Sequence, residues 1–257
     1  CRLASEFLRP SDLSGPETIY DRMLVKTLVG AVRRAFEPGC QHDTCLVLQG
    51  EGGSRKTSFW RTLFDPWFTT FRGRIGSKDA MLTVHRFWGL ELGELDGITS
   101  QTHAGHLKNF LSTNVDSFRT PYGRKVSPVP RHSVFLGTCN EGTFLGDPTG
   151  NRRWWIIPVT RTRQDQIDTD ALVRLKPRIW AEAYRLFLNG YSSYLNESDE
   201  RLNDLINDDF GEDNPLEEHI NSFIRTRPDC TQIAPSELYA ELARTSDIFR
   251  KMTDRRG

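Results

Sequence analysis

The chain has 257 residues, with 34 Lys and Arg against 34 Asp and Glu, 37% hydrophobic and 26% charged. A disordered chain needs few large apolar residues and a strong net charge, and neither holds; no apolar run approaches the roughly 20 residues of a membrane span. Five cysteines, an odd number, fit a reducing compartment, so a soluble cytoplasmic protein is expected, and the opening on Cys1 suits a piece of a longer one. The charge is uneven: residues 1–160 carry 20 Lys/Arg against 15 Asp/Glu, and residues 161–257 carry 14 against 19. An excess of that size supports local contacts to nucleic acid rather than a basic blanket.

Taken in chain order, residues 1–16 read as a mixed lead-in. Ile19, Met23, Val25, Leu28, Val29, Val32 and Phe36 recur at helical spacing, and Pro38-Gly39 closes that helix. Cys45-Leu46-Val47-Leu48 is a short apolar run of the kind buried in a parallel sheet. Ser58 to Phe64 reads as a helix stopped by Asp65-Pro66. Further buried strands are expected at Arg86–Leu92, Ser133–Thr138 and Trp154–Val159, with a helix over Thr102–Phe110 between the first two. Trp154 and Trp155 are expected on opposite faces of their strand, one of them in the core. Ala171 to Leu188 reads as a helix despite Pro177, Asn196 to Asp213 as a poorly packed acidic linker or exposed helix, and 215–250 as two amphipathic patterns. Strands alternating with helices imply an α/β fold around a mainly parallel sheet. The expected division is a helical lead over 1–40, a P-loop core over 41–160, a helical region and acidic linker over 161–213, and a small helical unit over 214–257.

The most informative stretch is Gly50-Glu51-Gly52-Gly53-Ser54-Arg55-Lys56-Thr57. It follows an apolar strand and opens a helix, so its backbone N–H groups and the helix N-terminus can face phosphate oxygens. In such a loop Lys56 reaches the β- and γ-phosphates and the Thr57 hydroxyl ligates Mg²⁺. Gly50, Gly52, Gly53, Ser54, Arg55, Lys56, Thr57 and Ser58 form the expected nucleotide-binding set for ATP. Arg55 occupies the second glycine slot of the general pattern, where a left-handed backbone costs a side chain about 1–2 kcal/mol. A P-loop also calls for an acid on a neighbouring strand. Glu91, Glu94 and Asp96 end the Phe87–Leu92 run, and a carboxylate ending a buried strand needs a cation or water. Glu91 is assigned to the metal and Glu94 to the attacking water, although one strand does not fix which of the two faces the phosphates.

Five motifs then follow in order: the P-loop; Leu90-Glu91-Leu92-Gly93-Glu94-Leu95; Val115-Asp116 through Arg119, Tyr122-Gly123-Arg124; Gly137-Thr138-Cys139-Asn140-Glu141; and Asp147 through Gly150-Asn151-Arg152-Arg153-Trp154-Trp155. Together they resemble the virulence-associated protein E family, P-loop ATPases of phages and integrated mobile elements that look like superfamily 3 helicases within the AAA+ group. The resemblance is close over about residues 20–160 and looser beyond.

It implies an AAA+-like P-loop NTPase with a small helical C-terminal unit, which could be a truncated winged helix. It implies that Asn140, supported by Thr138, is sensor 1 at the tip of the third strand. Arg152 or Arg153 would act as an arginine finger on a neighbouring subunit's ATP. Tyr122, Arg124 and Lys125 would lie on a hairpin that grips single-stranded DNA, with Tyr122 stacking on a base or sugar. The implied assembly is a ring, a hexamer by analogy, unwinding DNA in replication, with a primase domain or protein as a further partner and no membrane. The adjacent arginines also read as surface charges, and Arg119 or Arg124 could serve a neighbour's ATP site.

Other sites are weaker. Cys40-Gln-His42-Asp-Thr-Cys45 offers three ligands where structural zinc takes four. His103 and His106 lack the H-E-x-x-H arrangement. A second function, a nucleotide-dependent DNA-binding module with little turnover, is favoured by the strain expected at Arg55. A metabolic P-loop kinase fits poorly with the basic hairpin.

Overall fold

A computed structural model describes residues 2–10, 17–71, 77–93, 101–118, 125–140, 151–208 and 210. The chain divides into two units, Cys1–Gly211 and Glu212–Gly257. The second, with the winged-helix expectation for it, lies outside the described residues, as do Glu94, Asp96, Tyr122 and Arg124.

The first unit is built on five parallel strands: β1 (Cys45–Gln49), β2 (Phe68–Phe71), β3 (Gly89–Leu92), β6 (Val134–Cys139) and β7 (Trp154–Pro158), in the order β2-β3-β6-β1-β7. The mainly parallel sheet flanked by helices is therefore present. The strands read as continuous apolar runs because helices cover both faces. β1 shows the alternation directly. Leu46 and Leu48 join one core with Met23, Leu24, Trp60 and Trp155, while Cys45 and Val47 join the other with Leu107, Phe110, Phe135 and Trp154. Trp154 and Trp155 do straddle the strand, but both are core residues, because β7 is covered on its two faces like the central strands.

Four helices pack on the first face: α1 (Leu3–Phe7), α2 (Ile19–Phe36), α3 (Lys56–Phe64) and α6 (Thr169–Leu188). Thr18 starts α2 with a capping box, its hydroxyl accepting from the Asp21 N–H and the Asp21 carboxylate accepting from the Thr18 N–H. The same carboxylate accepts from the N–H and hydroxyl of Ser5 at 2.9 and 2.5 Å, which fastens α1 to α2. Burial works to raise the Asp21 pKa, but the bonds from Ser5 and Thr18 outweigh it and hold the carboxyl below its ordinary range. Residues 3–8 are thus part of the core, with Leu3, Ala4, Phe7 and Leu8 buried, rather than a mere lead-in.

On the other face lie α4 (Lys78–Val84) and α5 (Gln101–Ser112), and α7 (Glu197–Asp208) packs along β7 with Ile206 against both cores. Of the two readings of 196–213, acidic linker or exposed helix, the helix is present over Glu197–Asp208, mostly exposed but docked by one polar face; residues 209 and 211–213 lie outside the described residues. α7 buries Asp199, Asn203 and Asn207 against the body and leaves Leu205 exposed. Polar pairing makes this inverted face stable: Arg22 donates to Asp199 at 2.7 and 3.1 Å, and the Asn207 amide donates to the Trp154 carbonyl at 3.1 Å. Two further strands, β4 (Val115–Phe118) and β5 (Ser127–Pro130), form a separate antiparallel ribbon. Among the described residues no helix is long and apolar enough to cross a membrane.

Candidate functional site

In an open parallel sheet, ligands bind outside the carboxyl ends of the strands. Here a cleft of about 700 Å³ opens beyond β1, β3 and β6, lined by Lys56, Thr57, Ser58, Glu91, Thr138 and Asn140 among others.

The loop from β1 to α3 forms one wall. Its conformation depends on glycine at two places. A Cβ on Gly50 would stand 2.4 Å from the Val159 carbonyl oxygen, and Gly53 has φ +88°. Arg55 caps α3 at φ 70°, ψ 31°, the left-handed geometry that the glycine slot implies, at a cost of about 1–2 kcal/mol. Its guanidinium donates to the Thr169 hydroxyl at 3.3 Å. The Ser54 hydroxyl donates to the Glu51 carbonyl at 2.9 Å, an internal bond of the loop.

Lys56, the first residue of α3, is 6% exposed. Its ammonium donates to the carbonyls of Gly50 and Glu51 at 2.7 and 2.9 Å and to Asn140 Oδ1 at 3.1 Å. Asn140 sits just past the end of β6, so the P-loop lysine and the strand-end amide expected at a distance in sequence meet directly.

Glu91 forms the opposite wall from β3. It is 1% exposed, and each carboxylate oxygen accepts one hydroxyl: Oε2 from Thr70 at 2.9 Å and Oε1 from Thr138 at 3.0 Å. Thr138 therefore supports Glu91 rather than Asn140, because its side chain points across to β3, its parallel neighbour. Thr70 is a residue that the sequence reading missed. Phe68-Thr-Thr-Phe71 is a short edge strand with no period-two alternation, so the sequence carried little signal for it beyond its β-branched and aromatic residues. Arg61, one turn beyond Thr57 on α3, also lines the cleft and went unread.

The segment after β7 braces the loop from outside. Gln166 Nε2 donates to the Gly53 carbonyl at 2.9 Å, the Ile167 N–H donates to the Ser54 carbonyl at 3.2 Å, and the Arg163 side chain packs over Gly53. Residues placed by sequence in a separate helical region thus touch the P-loop.

The arginine pair lies elsewhere. Asn151–Arg153 form a 3-10 turn leading into β7, and Trp154 pairs with Cys45 at the start of β1. Arg152 and Arg153 are therefore at the opposite end of the sheet from Gly50, about 13 Å or more away at ~3.3 Å per strand residue. Both approach Asp43 at 3.8 Å. Arg153, one-fifth exposed, also donates to the Ser112 hydroxyl at 2.9 Å, whereas the Arg152 side chain is 67% exposed. Lys125 is exposed just before β5. Cys45, offered as a zinc ligand, is buried in β1, and His42 packs its ring against Gly30 of α2.

The donor set fits a polyphosphate with its cation: N–H groups at a helix start, one lysine, one hydroxyl at Thr57, and one buried carboxylate across the cleft. The arrangement can bind phosphate oxygens on one wall and hold a cation or water on the other.

Solved structures of the C-terminal region of NrS-1 are similar. The apo structure of residues 305–718 has 11% identity and a TM-score of 0.47, covering 86% of this chain and 57% of that one. An A form of the same region has 12% identity and a TM-score of 0.43 over the same shares. Another A form has 13% identity and a TM-score of 0.41, covering 82% and 50%. The chain thus spans about 57% of the length of the first of them. No curated protein matches the sequence. Residues 4–212 match the Virulence-associated protein E-like domain, most of the chain, and the protein belongs to that family.

Proposed function

We propose that this domain is an ATP-hydrolysing motor that acts on single-stranded DNA in the replication of a phage or mobile element, assembled as a ring, a hexamer by family analogy. The observation that carries it is the convergence of Lys56, Asn140 and Glu91 on one cleft at the carboxyl end of the sheet. The loop N–H groups and the α3 N-terminus hold the phosphates, and Lys56 exchanges carbonyl and amide oxygens for phosphate oxygens, a stronger charge-assisted partner. Thr57 and Glu91 would hold Mg²⁺, which when bound neutralises charge on the β- and γ-phosphate oxygens. Asn140, released by Lys56, orients the attacking water, and Glu94 is the acid proposed to activate it. Arg152, exposed and only loosely paired, supplies the trans finger, while Arg153 is tied to Ser112. Lys125, Tyr122 and Arg124 carry the DNA contact. A primase domain or protein is the proposed upstream partner, and the cytoplasm the proposed site of action.

The test is ATP hydrolysis with and without single-stranded DNA over a range of protein concentration. Activity is expected to rise steeply with concentration, to increase with DNA, and to vanish in Lys56→Ala. Full activity in Lys56→Ala would refute the assignment.

A second reading has one observation in its favour: Arg55 holds the strained left-handed position. A nucleotide-dependent DNA-binding module with little turnover fits such a loop. Arg55→Gly separates the two. Relief of about 1–2 kcal/mol of strain raises thermal stability in either case, but a large gain in turnover would favour the binding module as the native state.

A further inference from the structure

The β4–β5 ribbon has little apolar attachment to the body: Phe118 meets the His85 ring at 5.2 Å, and Val115 and Pro130 lie beside Gly39. Among the described residues it pairs with no third strand, and an isolated two-stranded hairpin is marginal in water. Pro128 and Pro130 lack the N–H groups that a ladder uses. Of its eight strand residues only Asp116 is buried, so the sole inward anchor is a carboxylate.

That carboxylate is gripped by two residues outside the ribbon's own strands, through three hydrogen bonds. Arg131, one residue beyond β5 and 1% exposed, donates through Nε and Nη2 at 2.6 and 2.8 Å in a two-pronged fork. His85, at the end of α4, meets the same carboxylate at 2.9 Å. The fork pulls the Asp116 pKa down to about 2, against the opposing effect of burial. Arg131 lies over the rings of Phe110 and Phe135 at 4.6 and 5.7 Å, and also donates to the Phe110 carbonyl. A second buried arginine, Arg34 of α2, clasps the root from behind, donating to the Arg131 carbonyl at 3.3 Å and to Asn114 Oδ1 at 3.0 Å. Asn114 and Arg131 immediately flank β4 and β5 and are joined by the Arg131 N–H to the Asn114 carbonyl at 2.9 Å.

Three residues after Arg131 begins β6, which ends beside Asn140. One strand therefore runs from the ribbon's root to the amide that accepts from Lys56. We propose that the Arg131–Asp116–His85 cluster, backed by Arg34, is the mount that holds the β4–β5 ribbon on β6 and passes the state of the cleft to it. The mount stands on geometry alone; its service to DNA rests on the function proposed above. Asp116, Arg131, His85 and Arg34 are positioning residues. A directional polar mount fixes the ribbon with few apolar contacts beside it, so it can transmit a shift of β6 without repacking a core.

The test compares the intact chain with Asp116→Asn and with Asp116→Asn/Arg131→Gln, which removes both charges so that no arginine is left buried without its partner. Hydrogen exchange over Val115–Phe118 and Ser127–Pro130 is expected to rise about tenfold or more in the variants, while α2 and β1 keep their protection. Basal ATP hydrolysis is expected to stay unchanged and its stimulation by single-stranded DNA to fall about tenfold, as the cost of ordering the ribbon moves to the binding step. Lys125→Ala, by contrast, lowers the slope of DNA affinity against salt by about one, and the mount variants leave that slope alone. Unchanged exchange in the double variant overturns the mount. Raised exchange with normal DNA stimulation overturns the coupling. Raised exchange in a protein whose wild type ignores DNA overturns the DNA reading and leaves the mount supported.

Discussion

The two ends of the same sheet are built on opposite terms. At the carboxyl end, Lys56 and Glu91 are buried and each is held by short hydrogen bonds from several elements. At the amino end, Arg152 is two-thirds exposed and meets Asp43 only at 3.8 Å, too long for a hydrogen bond. A group meant to act within its own subunit is preorganised by its neighbours, since electrostatic stabilisation works best when no reorganisation is needed. A group left loose and solvated at the far end of the sheet is unable to serve the same cleft. The proposed division of the ATP site between two copies of the chain calls for such a difference, and the alternative reading of Arg152 as a surface charge makes the mutants below the test.

The strongest way to break that comparison is at the arginines. Arg152→Ala is expected to lower turnover about 10³-fold, the worth of a trans finger. Arg153→Ala should act mainly through the lost Ser112 bond, costing about 1 kcal/mol of stability and little turnover. Equal effects of the two on turnover, measured at saturating ATP, would remove the distinction between a free and a tied arginine.

A smaller effect sharpens the other end. Thr70→Val removes one of the two hydroxyls that hold Glu91 and is expected to lower Mg²⁺-dependent activity about tenfold or more, as loss of an outer partner does at metal sites. An unchanged Mg²⁺ titration would mean that Glu91 is not the metal-linked acid.

The smallest effect concerns stability. Burial, with Arg34 nearby, holds the His42 imidazole neutral, its pKa lowered to about 3. The unfolded chain binds a proton at His42 where the folded chain does not, so stability falls as pH drops from the ordinary histidine range toward that value. His42→Leu is expected to flatten the melting temperature over that window while keeping the packing against Gly30. A slope equal to the wild type's would assign the acid sensitivity to other groups.

The parts legible in sequence share a physical cause. β1, β6 and β7 are buried on two faces, so their runs are mainly apolar; β3 covers only Gly89–Leu92 of the expected Arg86–Leu92 and carries Glu91. The P-loop announces itself because backbone geometry and a Lys-Thr pair must coincide. β2 was not legible: an edge strand of Phe-Thr-Thr-Phe is half-buried and short. α7 was legible as an exposed helix but not its docking, because it buries Asp199, Asn203 and Asn207 while Leu205 faces water, and its partners, such as Arg22, are far away in the chain. The same holds for the site. Lys56 and Glu91 follow from local pattern, whereas Thr70 and the brace at 163–169 depend on which strands and loops become neighbours, which spacing along one chain does not encode.

The most direct measurement mixes Lys56→Ala and Arg152→Ala chains, each inactive alone, and follows ATP hydrolysis with assembly checked by light scattering. In a ring with head-to-tail contacts, equal mixing makes about a quarter of the interfaces complete, so activity should return to about that fraction of the wild type. Assembled mixtures with no activity above either parent would contradict a site shared between subunits.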